Sequence, residues 1–268
     1  MQTEGISFSL EDKLAIAGCL DELGVDYIEG GYPASGPKDT QFFAEVAKLG
    51  FRNSKITAFG STRRIDNKAE DDASLNAIVS CKAPAATIVG KTWDLHVTKV
   101  LGCSLEDNIA VCADSVRYLK KHGLEVIFDA EHFYDGYKEN PEYALKVLRA
   151  VAEAGIDAIA LCDTNGGTLP NEIYEITKTV CGQLKPLTIG IHTHNDNDCA
   201  IAFGEPLFEL DRGQFHSVCL QVRDPWIAVG YLRSSFGQQV DDIEGRGLAQ
   251  VVDIALVGNA DDVDASAF

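Results

Sequence analysis

Gly190-Ile-His-Thr-His-Asn-Asp196 follows Thr188 and Ile189, so a short β-branched, apolar run leads directly into a polar cluster. Such a run favours a buried strand, because branched side chains pack well on a pleated surface. Residues two apart in a strand share a face, which sets the imidazoles of His192 and His194 side by side at the strand's carboxyl end. A divalent metal takes ligands in that arrangement. Two strand-end histidines satisfied by ordinary hydrogen bonds have the same spacing, so the surrounding chain must decide between the two readings.

Working outward, the same pattern recurs. Apolar runs at 25–29, 55–60, 86–90, 125–129 and 158–162 precede the one at 188–192, spaced about thirty to forty residues apart, as strand–helix units require. Helices are expected between them at 9–23, 38–49, 105–122 and 141–154, with further ones at 72–82 and 170–184. Their starts are marked by the capping boxes Ser9-Leu-Glu-Asp12 and Ser104-Leu-Glu-Asp107 and by Asn140 before Pro141. Gly24, Gly50, Gly123 and Gly155 supply left-handed stops.

Continuous apolar strands alternating with amphipathic helices imply a parallel sheet covered by helices. Neither a G-x-G-x-x-G turn after the first strand nor a Walker A sequence is present, which removes the signature of nucleotide-binding open sheets. Polar residues fall instead at or just past the carboxyl ends of successive strands. They are Glu29, Ser61 with Arg63, Lys91, Glu131 with His132, Asp163 with Thr164, and His192 with His194. A TIM (β/α)8-type barrel brings all those ends to one mouth, whereas an open sheet would leave the outer ones far apart.

The totals agree with one α/β barrel domain: 268 residues, 46% hydrophobic and 24% charged. A net charge of −18 opposes binding to nucleic acid or an anionic membrane and favours small-molecule chemistry, with positive charge focused locally by a metal or a few Arg and Lys. Eight dispersed cysteines without a C-x-x-C pair read as reduced, buried side chains of a cytoplasmic protein. The segment Met1-Gln-Thr-Glu-Gly5 lacks the features of a signal peptide, and no apolar run is long enough to span a bilayer.

Two histidines leave a metal site incomplete, and by topology Glu131 and Asp163 are the candidate carboxylates. Glu131 can orient a substrate or act as acid or base, unless it is a solvated loop acid. Thr164 can offer its hydroxyl to a substrate carboxylate, while Asp163 and Asn165 also suit a turn with Gly166 and Gly167. Arg63 and Lys91 are candidate counter-ions for a carboxylate or phosphate, or charges on a solvated loop. Trp93-Asp-Leu-His96 can wall the pocket or cap the barrel.

Several stretches together carry a family resemblance. They are Leu23-Gly-Val-Asp-Tyr-Ile-Glu-Gly-Gly31, Ala58-Phe-Gly-Ser-Thr-Arg-Arg64, Thr87-Ile-Val-Gly-Lys-Thr-Trp-Asp-Leu-His96, Asp129-Ala-Glu-His-Phe-Tyr-Asp-Gly-Tyr137, Leu161-Cys-Asp-Thr-Asn-Gly-Gly-Thr-Leu-Pro170 and His192-Thr-His-Asn-Asp196. The chain resembles the pyruvate carboxyltransferase-like barrels, which include 2-isopropylmalate, homocitrate and citramalate synthases and hydroxymethylglutaryl-CoA lyase, and within them it is most similar to the citramalate synthases. The resemblance implies a metal-assisted Claisen condensation of acetyl-CoA with pyruvate, on a route to isoleucine. It implies His192 and His194 as ligands of Mg²⁺, Mn²⁺ or Zn²⁺, Glu131 at the reacting centre, and Thr164 against the oxo-acid carboxylate. A homodimer is compatible with it. The related reactions of 2-isopropylmalate synthase or an acyl-CoA lyase, and an inactive family member, are the alternatives.

Two departures accompany the resemblance. The family's opening Thr-Leu-Arg-Asp-Gly motif has no counterpart, because Met1-Gln-Thr-Glu-Gly-Ile-Ser7 matches the segment just after it. A barrel lacking that first strand is therefore expected. After residue 202 the resemblance ends, giving a partial barrel over 1–202 and a divergent tail over 203–268, read here as frame-shifted or rearranged. Within the tail, 217–222 is expected as a strand and 251–257 as a helix.

Overall fold

The computed structural model describes residues 8–194, Asp196, Cys199 and the backbone of two later strands, 215–221 and 253–256. Its described part opens on helix α1 (Leu10–Leu23), and the strand–helix alternation then proceeds through β1 (Tyr27–Glu29), α2 (Pro37–Val46), β2 (Lys55–Ser61), α3 (Ala73–Ser80) and β3 (Ala85–Lys91). A short helix α4 (Asp94–His96) runs into a π-helical turn at Val97–Leu101 before α5 (Leu105–Lys121). There follow β4 (Glu125–Glu131), α6 (Phe133–Glu139), α7 (Pro141–Glu153), β5 (Ala158–Asp163), α8 (Pro170–Gln183) and β6 (Thr188–His194).

The sheet order is the chain order. Strands β1 to β6 pair in parallel with their sequence neighbours, and β6 continues in parallel onto β7 (Phe215–Gln221). The expected strand at 217–222 is thus present. The helix expected at 251–257 is instead strand β8 (Asp253–Leu256), antiparallel to β7. Val251 to Val257 is rich in β-branched and apolar residues, and pairing along an open sheet edge satisfies backbone groups that an isolated seven-residue helix would leave unpaired. The fold is an incomplete α/β barrel in which β8 comes back against β1, while the register ladders run only from β1 to β8 in sequence order.

Local chemistry explains the helix limits. Ser9 Oγ accepts from Asp12 N at 3.1 Å and Asp12 returns an acceptor to Ser9 N at 2.8 Å, so both arms of the first capping box form. Asn140 Oδ1 accepts from Tyr143 N at 3.1 Å and starts α7. Gly24, Gly123 and Gly155 take positive φ at the stops, and Gly50 takes it in the loop four residues past the end of α2. Two expected ends are shorter in the structure. Helix α2 stops at Val46, and α3 spans eight residues with Asp72 as its cap.

One face of the sheet packs against the helices. It carries Ile56, Ala58, Ile88, Val126, Phe128, Ala130, Ile159, Leu161, Ile189 and Ile191, all buried with Leu75, Ile78, Val116, Leu119, Val147 and Leu148 of the helices. Each such large side chain contributes about 1.5–3 kcal/mol relative to exposure. The opposite face looks into the barrel and is more polar. At its amino-terminal end the Tyr27 hydroxyl donates to Glu125, while Lys55 Nζ donates to the other oxygen of Glu125 at 2.6 Å. These three side chains tie β1, β2 and β4 together as a floor, which leaves the carboxyl ends for chemistry.

Candidate active site

Strand parity and register decide which side chains meet inside. Cys162 and His192 are direct partners across β5 and β6, and Asp129 partners Ala160, which in turn partners Gly190. Asp129, Cys162 and His192 therefore share the inward face, and their ligand atoms all lie within 4.8 Å of one another. His192 Nδ1 stands 3.4 Å from Asp129 Oδ2. Two residues on, the His194 ring lies nearly parallel to that of His192, with centroids 5.3 Å apart and planes 14° from parallel. The sequence reading of His192 and His194 as neighbours on one face is what the structure places there.

The carboxylate beside His192 is Asp129. Strand β4 runs on to Glu131, so Asp129 and Glu131 point the same way, with Glu131 two residues nearer the mouth. There Glu131 forms an ion pair with Lys91 at the end of β3. Its carbonyl accepts from the Thr92 hydroxyl at 2.8 Å. Asp163, the other expected carboxylate, has the opposite parity from Cys162. It is fully buried and accepts from Thr168 N at 3.2 Å and Thr168 Oγ1 at 2.8 Å. Burial pushes its carboxyl up, against the pull of those two donors, and its bonds to Thr168 span the turn after β5.

A ring cluster adjoins the Lys91–Glu131 pair. His96 stacks on Trp93 with centroids 4.8 Å apart, and meets His132 edge-on at 4.3 Å. Burial, followed by the neighbouring His132 and Lys91 charges, lowers the His96 pKa. His132 adopts φ 54°, ψ 34°, a left-handed backbone that a β-carbon disfavours. Thr164 holds it there, its Oγ1 accepting from His132 N at 2.9 Å. Asp135 lies 3.6 Å from His132 Nδ1 and accepts from Asn165 Nδ2 at 2.9 Å. The His132 contact, outweighing burial and helped by Lys138 and Asn165, holds the Asp135 carboxyl below its ordinary range.

Arg63 is not brought to this mouth. Its Nη2 donates to Asp114 Oδ2 of α5 at 2.8 Å, and its Nη1 donates to the carbonyls of Arg64, Ile65 and Asn67 at 3.1, 3.2 and 2.9 Å. The loop after β2 turns outward over α5, and Arg63 helps line a surface cleft with Asp66, Lys68, Arg117 and Lys121. Arg63, expected as a counter-ion for a substrate, is paired in the structure with Asp114 of α5. Gathered at the mouth are His192, His194, Glu131, Lys91 and Thr164, joined by Asp129, Cys162, His96 and His132. Asp129 and Cys162 carried one signal in the sequence: each lies close to the carboxyl end of an apolar strand, Asp129 two residues before the end of β4 and Cys162 one before the end of β5.

The donor set fits a divalent cation, since imidazole, carboxylate and thiol ligand atoms converge within bonding reach of one small volume. An ion bound by His192 would sit within the same mouth as the Lys91 ammonium, two positive charges facing one small anionic substrate.

The HMGL-like family model matches residues 1–205. The (R)-citramalate synthase of Aquifex aeolicus is 55% identical over 201 residues, which cover 75% of this chain and 38% of that protein. The (R)-citramalate synthase of Sulfolobus acidocaldarius is 56% identical over the same shares. A probable 2-isopropylmalate synthase of Methanopyrus kandleri is 32% identical over 215 residues, 80% of this chain and 40% of that one. The chain thus spans about two fifths of the length of the curated relatives it matches. Among solved structures, hydroxymethylglutaryl-CoA lyase from Pseudomonas aeruginosa superposes with a TM-score of 0.69 at 17% identity, covering 92% of this chain and 88% of that one. The Bacillus subtilis HMG-CoA lyase gives 0.65 at 14% identity, covering 97% and 86%. These two likenesses are of fold.

Proposed function

Because the chain belongs to the HMGL-like family, we propose that it carries the condensing chemistry of a citramalate synthase, joining the acetyl group of acetyl-CoA to pyruvate. The observation that carries this reading is the 55–56% identity to two (R)-citramalate synthases across the stretch that builds the mouth, against 32% to the 2-isopropylmalate synthase. In this reading His192 and His194 hold a divalent ion, Mg²⁺, Mn²⁺ or Zn²⁺. When bound, such an ion supplies Lewis-acid polarisation of a 2-oxo acid carbonyl.

The chain's own residues then have distinct tasks. Thr164 Oγ1 already accepts a hydrogen bond from His132 N, so its own proton is left to donate, and a substrate carboxylate is the natural acceptor. Lys91 adds a positive charge on the same side and orients the Glu131 carboxylate through their ion pair. Glu131 is the base that takes a proton from the acetyl methyl group. Trp93 and His96 wall the pocket and exclude water from the carbanion that forms. Water later cleaves the thioester and releases CoA. Arg63 keeps no part in this scheme.

The same reading places the protein in isoleucine biosynthesis in the cytoplasm, acting on small molecules and not on nucleic acid or membrane, and it is compatible with a homodimer. Among the described residues no helix is long and apolar enough to cross a membrane. It also assigns the family barrel to residues 1–202 and a divergent tail to 203–268, most of which lies outside the described residues.

Thiol release from acetyl-CoA, measured with Mg²⁺ or Mn²⁺ and with pyruvate against 2-oxoisovalerate, tests the proposal. Release that depends on pyruvate and disappears in His192→Ala is the expected result. A preference for 2-oxoisovalerate would move the assignment to 2-isopropylmalate synthesis. No release from folded protein would mark an inactive family member.

A further inference from the structure

Cys162 has no task in the chemistry above, yet it stands on the inward face directly across the β5–β6 ladder from His192. It is 4% exposed, and Asp129 beside it is 8% exposed. A carboxylate buried to that degree is costly unless a cation or strong donors meet it. Here its Oδ2 faces His192 Nδ1 at 3.4 Å, and the thiol completes a trio of ligand atoms within 4.8 Å. Among the described residues this is the one gathering of three His, Cys or carboxylate ligands so close together.

We propose that Asp129, Cys162 and His192 form a binding site for a soft divalent cation, Zn²⁺ or Co²⁺, whose donor set differs from the His192–His194 pair. The ligand chemistry chooses the ion. Carboxylates and waters suit Mg²⁺, whereas a sulfur ligand with an imidazole selects Zn²⁺ and its tetrahedral analogue Co²⁺. Three protein ligands leave a position for water or a substrate oxygen, as sites open to exchange do. Binding replaces the Cys162 S–H bond by a sulfur–metal bond, and the proton passes to solvent. No electron is transferred. Because His192 belongs to both donor sets, a cation held by Asp129 and Cys162 competes for the imidazole assigned above to the catalytic ion. Soft cations at low concentration are then expected to alter the site in a way that Mg²⁺ does not.

The test is a Co²⁺ titration of the purified full chain, read by absorbance without reference to turnover. Sulfur-to-cobalt charge transfer gives a near-ultraviolet band that oxygen and nitrogen ligands do not produce. The band should appear, saturate, and be bleached by Zn²⁺ but not by excess Mg²⁺. Cys162→Ser should abolish it, Asp129→Asn should weaken Co²⁺ binding by about 10–100-fold, and His194→Ala should leave it in place. Circular dichroism shows whether each variant is folded, and the wild-type spectrum stands without them. Absence of the band from folded wild-type protein overturns the proposal. So does a band that survives in Cys162→Ser, which would come from another cysteine, or one lost in folded His194→Ala but kept in folded Asp129→Asn. Thiol release in the earlier assay is a separate reading, so a chain that turns over without the band refutes this site alone.

Discussion

His132 shows how one residue at the mouth depends on another. A left-handed backbone costs a residue with a β-carbon about 1–2 kcal/mol, and the hydrogen bond from His132 N to Thr164 Oγ1 holds the chain in it. Thr164→Val keeps the shape but leaves that N–H facing a methyl group. It should destabilise the fold by about 1–3 kcal/mol, the cost of an unsatisfied donor, whereas Thr164→Ser should cost less than half as much. Urea denaturation midpoints of the two variants check this, and equal losses would mean that packing, not the hydroxyl, matters. The dependence was not legible in the sequence, because Thr164 and His132 are thirty-two positions apart and meet only once β4 and β5 pair. His192 and His194 were legible, because the period of a strand is local. Asp129 against Glu131 was not, since choosing between them requires knowing how far β4 extends, and capping or turn signals do not mark a strand's end as they do a helix's.

Helices bring the loops to the mouth, and two of them depend on contacts that the strand pattern does not show. Helix α6 lies on the loop that carries Trp93: a β-carbon at Gly136 would come within 2.7 Å of the Thr92 carbonyl oxygen and 2.8 Å of Trp93 Cα. These are backbone atoms and cannot rotate aside. Gly136→Ala should therefore cost about 1–3 kcal/mol as overpacking, and should shift Trp93 fluorescence, where a surface Gly→Ala in a helix would be stabilising. Helix α3 instead depends on Asp72. Its carboxylate accepts from Ser74 N at 3.0 Å, Leu75 N at 3.2 Å and, across the loop, Arg64 N at 2.9 Å. Burial alone would raise its pKa, but those N–H groups and the Asn67 side chain outweigh it and hold the carboxyl below 3.8. A folded pKa below the unfolded one adds stability that is complete above 3.8 and is lost as pH falls through the folded value. Asp72→Ala should lose about 1–3 kcal/mol at neutral pH, and the gap from wild type should narrow on acidification to about pH 3. A gap that stays constant with pH would show that the carboxylate's charge is not what α3 uses. The expected 72–82 helix had the right start for this reason, since an Asp before an apolar run is a local cap signal. The short helix α6 went unseen because Phe133 to Glu139 is held by tertiary packing of Phe133 and Tyr134, both fully buried.

For the molecule as a whole, charge opposes the fold as well as serving it. With 41 acidic against 23 basic side chains, at least 18 carboxylates have no cation to pair with. Several of the cations present are used between elements: Lys13 with Asp39 and Lys120 with Asp157 at 2.6 Å, Arg63 with Asp114 at 2.8 Å, and Lys91 with Glu131 at the mouth. Salt weakens both the pairs and the repulsion, so the sign of its effect tells which is larger. Exposed pairs contribute about 0–1 kcal/mol each, and they act at contact, where screening removes little. Repulsion within a net charge of −18 acts over the whole surface, at distances where going from about 0.01 M to about 0.15 M salt shortens the Debye length from about 30 Å to about 8 Å. Repulsion should therefore lose more than pairing does, and Tm should rise with NaCl over that range. Choline chloride should act as NaCl does, because the effect is screening and not cation binding. A fall in Tm would mean that the inter-element ion pairs outweigh the net charge. A rise with divalent cations far beyond that given by the same ionic strength of NaCl would place the stabilisation at the barrel mouth, and its absence in Asp129→Asn would locate it at the carboxylate facing His192.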